Sequence, residues 1–165
     1  MNSIFLSIGS NLGNRFNNIK RCIKEIKLTH GIKLLSHSRI YETEAMYNLN
    51  QSKFLNLVIK IESLIEPDEL LNMFKKIESH MGRNLNAPIN SSRIIDIDIL
   101  SYGDLVINNE LVIPHPRIAE RAFVLKPWTD IAPDYKLPEI NKTISELISN
   151  LDINSNIIKL YYKHL

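Results

Sequence analysis

The chain has 165 residues, of which 44% are hydrophobic and 23% charged, as in globular domains and unlike disordered or fibrous chains. Its 20 basic residues outnumber the 18 acidic ones by only two, which gives no general attraction to nucleic acid or an anionic membrane. One cysteine excludes an intrachain disulfide, and the five histidines lack zinc-ligand spacing. With no spanning segment or signal sequence, we expect a single cytoplasmic domain over residues 1–165 that binds neither nucleic acid nor membrane.

The first third of the chain predicts a strand, a helix and a second strand. Ile4 to Ile8 is a short apolar run that leads into a glycine-rich turn. A helix follows because apolar residues recur at helical spacing, namely at Phe16, Ile19, Ile23 and Ile26. Gly31 then favours helix termination. Residues 32–43 mix β-branched, aromatic and polar types, which indicates one further strand.

The middle of the chain contains the clearest helix. A polar loop from Glu44 to Lys53 precedes an alternating segment from Phe54 to Ser63, which predicts a third strand. Pro67 suits the first turn of a helix. Its buried stripe is formed by Leu70, Phe74, Ile77 and Met81. Gly82 follows that stripe directly.

The order of these elements predicts an α+β fold. After a loop from Arg83 to Arg93, the run from Ile94 to Tyr102 is a fourth strand. Strand, helix, strand, strand, helix, strand is the split βαββαβ order of ferredoxin-like folds, with an antiparallel sheet covered by helices. The proline-rich remainder predicts an irregular C-terminal extension, with short helices over residues 118–126 and 143–150.

Two acids in the fourth strand point to metal and phosphate chemistry. Asp96 and Asp98 are two residues apart, so their side chains leave the same face of the strand. Carboxylates this close suit a magnesium ion that shares its coordination with phosphates, although two solvated acids at a strand end explain the pair equally well. Arg83 and Arg93 bracket the preceding loop, either as phosphate ligands or as solvated loop residues. No P-loop motif occurs in the sequence.

Seven segments, taken in order from about Ile4 to Asp134, resemble the 6-hydroxymethyl-7,8-dihydropterin pyrophosphokinase family. They are Ile8-Gly9-Ser10-Asn11-Leu12-Gly13, Tyr41-Glu42-Thr43, Phe54-Leu55-Asn56, Gly82-Arg83, Arg93-Ile94-Ile95-Asp96-Ile97-Asp98-Ile99-Leu100, Pro114-His115-Pro116 and Arg121-Ala122-Phe123. The resemblance implies transfer of pyrophosphate from ATP to the pterin hydroxymethyl group, with release of AMP, in folate synthesis. We expect the chain to be a monomer.

The resemblance also implies a role for each site residue. Asp96 and Asp98 would hold two magnesium ions, and with Arg83 and Arg93 they form the expected catalytic set. ATP would meet Glu78, Arg83, Arg93, Ile99, His115 and Arg121. The reduced pterin would meet the backbone of Thr43 and Met46, the side chain of Asn56, and the rings of Phe54 and Phe123.

One loop departs from the family pattern. Residues Leu85, Ile89, Asn90 and Ser91 precede Arg93 where the family usually carries more positive charge and often a tryptophan. We therefore expect normal pterin selectivity but weaker nucleotide use. Two alternatives stay open: a non-catalytic ferredoxin-like binding module, and ordinary phosphoryl transfer that yields ADP.

Overall fold

A computed structural model describes residues 2–46, 50–151 and 158–162. The elements, in chain order, are strand β1 (Asn2–Ser10), helix α1 (Arg15–Leu28), strands β2 (Ile32–His37), β3 (Ile40–Thr43) and β4 (Phe54–Ser63), helix α2 (Pro67–His80), strands β5 (Asp96–Tyr102), β6 (Ile107–Asn108) and β7 (Val112–Ile113), a 3-10 turn (Ile118–Glu120), helices α3 (Ala122–Thr129) and α4 (Ile144–Ser149), and strand β8 (Ile158–Tyr162).

The two long helices begin where the sequence predicts, but Phe16 and Ile77, which were expected in the buried stripes, are only partly buried. The Asn14 side chain accepts a hydrogen bond from the backbone N–H of Asn17 and so caps the start of α1. Pro67 lies in the first turn of α2. The buried stripes consist of Ile19, Cys22, Ile23 and Ile26 on α1, and of Pro67, Leu70, Phe74 and Glu78 on α2. Burial raises the pKa of the Cys22 thiol, so this residue behaves as a small apolar side chain.

The main sheet is antiparallel and has the order β5-β1-β4-β3-β8, with β2 paired to another part of β4. Without β8, and with β2 and β3 taken as one broken strand, this is the strand order of the split βαββαβ arrangement. The predicted α+β, ferredoxin-like fold is therefore confirmed.

The sheet has one fully covered face and one partly covered face. Ile4, Leu6 and Ile8 of β1 pack with α1 and α2 in the larger apolar cluster. Phe5, on the opposite face, packs against Trp128 of α3, with ring centroids 5.0 Å apart. Helices α3 and α4 of the C-terminal extension thus cover part of the second face. Asp96 and Asp98, at the start of β5, lie next to the beginning of α3.

Three boundaries differ from the sequence prediction. Residues 32–43 form two strands, because the Ser38 hydroxyl accepts the N–H of Val58 and interrupts the ladder. The fourth strand begins at Asp96, the first residue of β5 that pairs with β1, instead of at Ile94. The helix expected over residues 118–126 is a 3-10 turn followed by α3, which continues past Pro127 because Trp128 is fully buried.

The extension also contains an unexpected strand. The short helix expected over residues 143–150 is present as α4, and Thr143 and Glu146 form a capping box at its start. Strand β8 was not predicted and pairs with β3 at the edge of the sheet. Among the described residues, no helix combines the length and apolar character needed to cross a membrane.

Candidate active site

Two carboxylates stand at the start of β5, beside the end of β1. Asp96 pairs with Gly9 and Asp98 pairs with Ser7 in the antiparallel ladder. Side chains alternate across a strand, so both acids share one face while Ile97 enters the apolar cluster beneath α1 and α2. The prediction that the two acids project together is confirmed.

Asp96 is held by two arginines. Arg83 Nη1 contacts one carboxylate oxygen, and Arg93 Nη2 lies 2.9 Å from the other. Arg93 is held in turn by Asn11, whose Oδ1 accepts the backbone N–H of Arg93 at 2.7 Å. The loop between the arginines therefore has both its ends fixed at the acid pair.

Glu78 of α2 supports this network from behind. Its carboxylate is fully buried and accepts hydrogen bonds from Arg83 at 2.5 Å, Lys75 at 3.0 Å and the backbone N–H of Ile97 at 2.7 Å. Three donors satisfy the buried charge and fix the direction of the Arg83 guanidinium. Glu78 thus connects helix α2 to the first residues of β5.

Asp98 is less well compensated than Asp96. Its closest cation is Arg121, with Nη1 at 3.6 Å. Burial, and then the negative charge of Asp96, raise the pKa of Asp98 to about 6. A divalent cation at this position would relieve both effects, because it would neutralise the two carboxylates together.

His115 and Arg121 present neighbouring donors. The His115 Nδ1 atom accepts the backbone N–H of Arg117 at 3.2 Å, so the ring proton of the neutral tautomer lies on Nε2. In this tautomer Nε2 and Arg121 Nη1, which are 3.4 Å apart, are both donors and need an acceptor between them. Burial and the charge of Arg121 lower the pKa of His115 to about 4, which keeps the ring neutral. Two adjacent donors of this kind suit an anionic oxygen.

All five residues expected to bind pterin line one cavity: Thr43, Met46, Phe54, Asn56 and Phe123. The Asn56 amide donates to Thr43 Oγ1 at 2.8 Å, which fixes the orientation of its side chain. A Cβ atom added to Gly9 would lie 3.1 Å from Asn56 Oδ1, so glycine leaves the room that this amide occupies. Asp96 and Asp98 form another wall of the same cavity.

A second cavity begins on the other side of the acids. It is lined by six residues of the expected catalytic or ATP-binding sets: Arg83, Arg93, Asp96, Asp98, His115 and Arg121. Glu78 and Ile99 line neither cavity. Glu78 lies behind Arg83, and Ile99 belongs to the apolar core. Contact between ATP and these two residues stays a prediction.

The two cavities share a wall. Asn90, Arg93, Asp96, Asp98 and Arg121 contribute to both linings. A flat heterocycle in the first cavity and an anionic chain in the second would therefore meet at the carboxylates. The Nε atoms of Arg93 and Arg121 are buried and have no hydrogen-bond partner among the described residues.

Sequence reasoning missed several lining residues. They are Ser7, Gly9, Glu44, Ala45 and Gln51 in the first cavity, and Leu12, Lys75, Gly82, Asn84, Ala87, Pro88, Ser92 and Ile94 in the second. Lys75 had a usable signal, because it stands three residues before Glu78 on one face of α2. Gln51 had none, since its contact with the Asn90 carbonyl joins two distant loops.

The residues fit magnesium that is shared with phosphate. Within residues 2–46, 50–151 and 158–162, no group of three or more His, Cys, Asp and Glu side chains is placed to hold a metal ion. Two carboxylates on one face give oxygen ligands without a complete protein cage. This is the usual arrangement when phosphate oxygens and water complete the coordination of magnesium.

The family model described as 7,8-dihydro-6-hydroxymethylpterin-pyrophosphokinase (HPPK) matches residues 5–133. The chain belongs to this family. A folate synthesis bifunctional protein of Arabidopsis thaliana is 44% identical over 129 residues, which cover 78% of this chain and 26% of that protein. The folic acid synthesis protein fol1 of Pneumocystis carinii is 40% identical over 163 residues, or 96% of this chain and 22% of that protein.

Solved structures agree with the HPPK fold. A crystal structure of Plasmodium falciparum HPPK-DHPS with pteroate has a TM-score of 0.74 at 19% identity, over 90% of this chain and 42% of that one. At this identity the likeness concerns the fold. This HPPK-family chain spans about a quarter of the length of the two curated relatives named above.

Proposed function

We propose that this chain transfers pyrophosphate from ATP to the hydroxymethyl group of 6-hydroxymethyl-7,8-dihydropterin, with release of AMP, as a step of folate synthesis. Family membership supports the reaction class. The observation that carries the proposal is the wall of Asp96, Asp98, Arg93 and Arg121 shared by the two cavities. This wall would bring the pterin hydroxyl and the ATP phosphates to the same pair of carboxylates.

The proposed reaction is an in-line displacement. The hydroxymethyl oxygen forms a bond to the β-phosphorus of ATP, and the bond from that phosphorus to the oxygen bridging the α-phosphate breaks. The hydroxyl proton passes to solvent or to a phosphate oxygen, and AMP leaves. Arg93, Arg121 and His115 donate hydrogen bonds to phosphate oxygens, so positioning and charge stabilisation carry the rate without an obligatory general base.

Two magnesium ions, held by Asp96 and Asp98, are part of the proposal. When bound, they would neutralise phosphate charge and lower the energy of the transition state. The chain's own contribution is the fixed direction of the carboxylates, since Arg83 and Arg93 hold Asp96 in place. A monomeric state, a cytoplasmic location and a single domain over residues 1–165 stay predictions.

The test is product analysis. The chain is incubated with ATP, magnesium and 6-hydroxymethyl-7,8-dihydropterin, and the nucleotides are separated by chromatography. AMP formed in equal amount to the pterin diphosphate supports the proposal. ADP would indicate ordinary phosphoryl transfer, and no pterin-dependent product would reject the proposed substrate.

A further inference from the structure

Strand β8 lies beyond the part of the chain that the HPPK family model matches, which ends at residue 133. It pairs antiparallel with β3, on the edge of β3 that faces away from β4. In this register Thr43 is opposite Ile158 and Tyr41 is opposite Leu160. A strand outside the matched domain thus completes the hydrogen bonding of β3.

One residue of β3 that pairs with β8, Thr43, also lines the pterin cavity. On its other edge β3 pairs with β4, where Thr43 is opposite Phe54 and Tyr41 is opposite Asn56. Thr43, Phe54 and Asn56 all line that cavity. After Thr43 the chain enters the loop that carries three further lining residues, Glu44, Ala45 and Met46. β8 therefore lies one strand away from the cavity wall and fixes the start of its loop.

Arg15 joins β8 to both ends of this loop. One Nη atom forms an ion pair with Glu42 at 2.9 Å, just before the loop, and the other donates to the Lys53 carbonyl at 2.8 Å, just after it. The guanidinium also lies 6.0 Å from the ring centroid of Tyr161 in β8. A single planar cation thereby bridges the two loop ends, in addition to the β3–β4 pairing of Thr43 with Phe54.

β8 contributes little to the apolar core. Leu160, Tyr161 and Tyr162 are each between 44% and 47% exposed, and neither apolar cluster contains a residue of β8. Tyr162 packs edge-on against Phe16 of α1, with ring centroids 4.9 Å apart. Loss of the strand should thus expose one edge of β3 without opening the core.

We propose that β8 and Arg15 form a positioning clamp that holds the pterin-binding loop at the separation its ligand requires. The inference rests on the proposed function, because it assigns the clamp to the pterin side of that site. A short strand that is paired on both sides, as β3 is, loses less conformational freedom when ligand binds than a strand that is free to fray. Breaking the clamp should therefore weaken pterin binding and leave nucleotide binding unchanged.

The test uses two variants of the full chain. Leu160→Pro removes a backbone donor and disrupts pairing with Tyr41, and Leu160→Val is the matched control because valine suits a strand. Arg15→Gln shortens the side chain, removes its charge and breaks the link between Glu42 and the Lys53 carbonyl. Hydrogen exchange of the amides at 40–43 reports whether β3 is released. Fluorescence titration with 6-hydroxymethylpterin, and a parallel titration with magnesium and a non-hydrolysable ATP analogue, report the two affinities.

We expect Leu160→Pro and Arg15→Gln each to weaken pterin binding about five- to tenfold while ATP-analogue binding changes less than about twofold. The control should behave as wild type. Faster exchange at 40–43 with unchanged pterin affinity would overturn the clamp, as would equal loss of both affinities or loss of the whole fold in both variants. If wild type itself binds no pterin, both the proposed function and the clamp are rejected. If wild type binds pterin and the variants bind it equally well, only the clamp is rejected.

Discussion

Changing Asp98 to Asn should stabilise the free protein while it removes activity. The two acids have different electrostatic environments. Asp96 contacts two arginines, whereas Asp98 has its closest cation at 3.6 Å and its pKa is raised to about 6. Asp98 therefore opposes folding when it is ionised. Asn keeps the shape of the side chain and removes that charge.

The size of the effect follows from the pKa. A rise from 3.8 to about 6 corresponds to about 3 kcal/mol at pH 7. Because 33% of the Asp98 side chain remains in solvent, screening reduces this value, and we expect Asp98→Asn to stabilise the fold by about 1 kcal/mol. Asp96→Asn should instead destabilise it by about 1–3 kcal/mol, since it removes the negative charge and one of the two oxygens that face Arg83 and Arg93.

The pH dependence has a definite sign. As the pH rises from about 4 to 6, the unfolded chain releases the Asp98 proton first, so the folded protein holds more protons and wild type loses stability. The advantage of Asp98→Asn should grow across this range, stay constant above it and vanish below pH 4. Urea unfolding of metal-free wild type and of both variants at several pH values measures the free energy of unfolding as a function of pH.

Activity should move in the opposite direction. Both variants are expected to lose magnesium-dependent turnover by on the order of several kcal/mol, because the carboxylates place the charge that stabilises the transition state. Magnesium with an ATP analogue should raise the unfolding midpoint of wild type and of neither variant. If Asp98→Asn destabilised the metal-free fold as much as Asp96→Asn does, our account of the acid pair would be wrong.

Three further substitutions test the two cavities. Gly9→Ala places a methyl group against Asn56 and should raise the KM for pterin, but not for ATP, by about tenfold; equal changes in both would contradict the assignment of this cavity. Lys75→Met should raise the KM for ATP about threefold, whereas Lys76→Met, on the exposed side of α2, should leave it unchanged. Similar effects of the two substitutions would contradict a role of Lys75 in nucleotide binding. Ile89→Arg adds a charge at a side chain that is 93% exposed and should lower the KM for ATP about threefold, and an unchanged value would contradict our prediction that the loop lacks needed charge.

Much of the fold could be predicted because local signals agree with the final packing. In α2 the first-turn proline, the acidic residues that follow it and the apolar stripe all indicate one helix, and the structure has it at Pro67–His80. The acid pair was predictable for a similar reason: a two-residue spacing on a strand fixes the shared face without knowledge of the rest of the chain.

The missed features depend on distant contacts. The break between β2 and β3 requires the Ser38 hydroxyl to meet Val58, twenty residues away. Continuation of α3 past Pro127 depends on burial of Trp128 against Phe5. The pairing of β8 joins residues more than one hundred positions apart. The same limit applies to the site, where the contact from Gln51 to the Asn90 carbonyl has no local signature.

The division of the second sheet face has a consequence for thermal behaviour. Arg121 and Phe123 stand at the start of α3, the helix whose Trp128 packs on Phe5 in the smaller cluster. Warming that loosens α3 would carry away an anion ligand and an aromatic wall while the larger cluster keeps the sheet intact. Activity should therefore be lost at a lower temperature than the one at which the sheet unfolds. The difference between the two temperatures would measure how stably the C-terminal helices pack on the sheet.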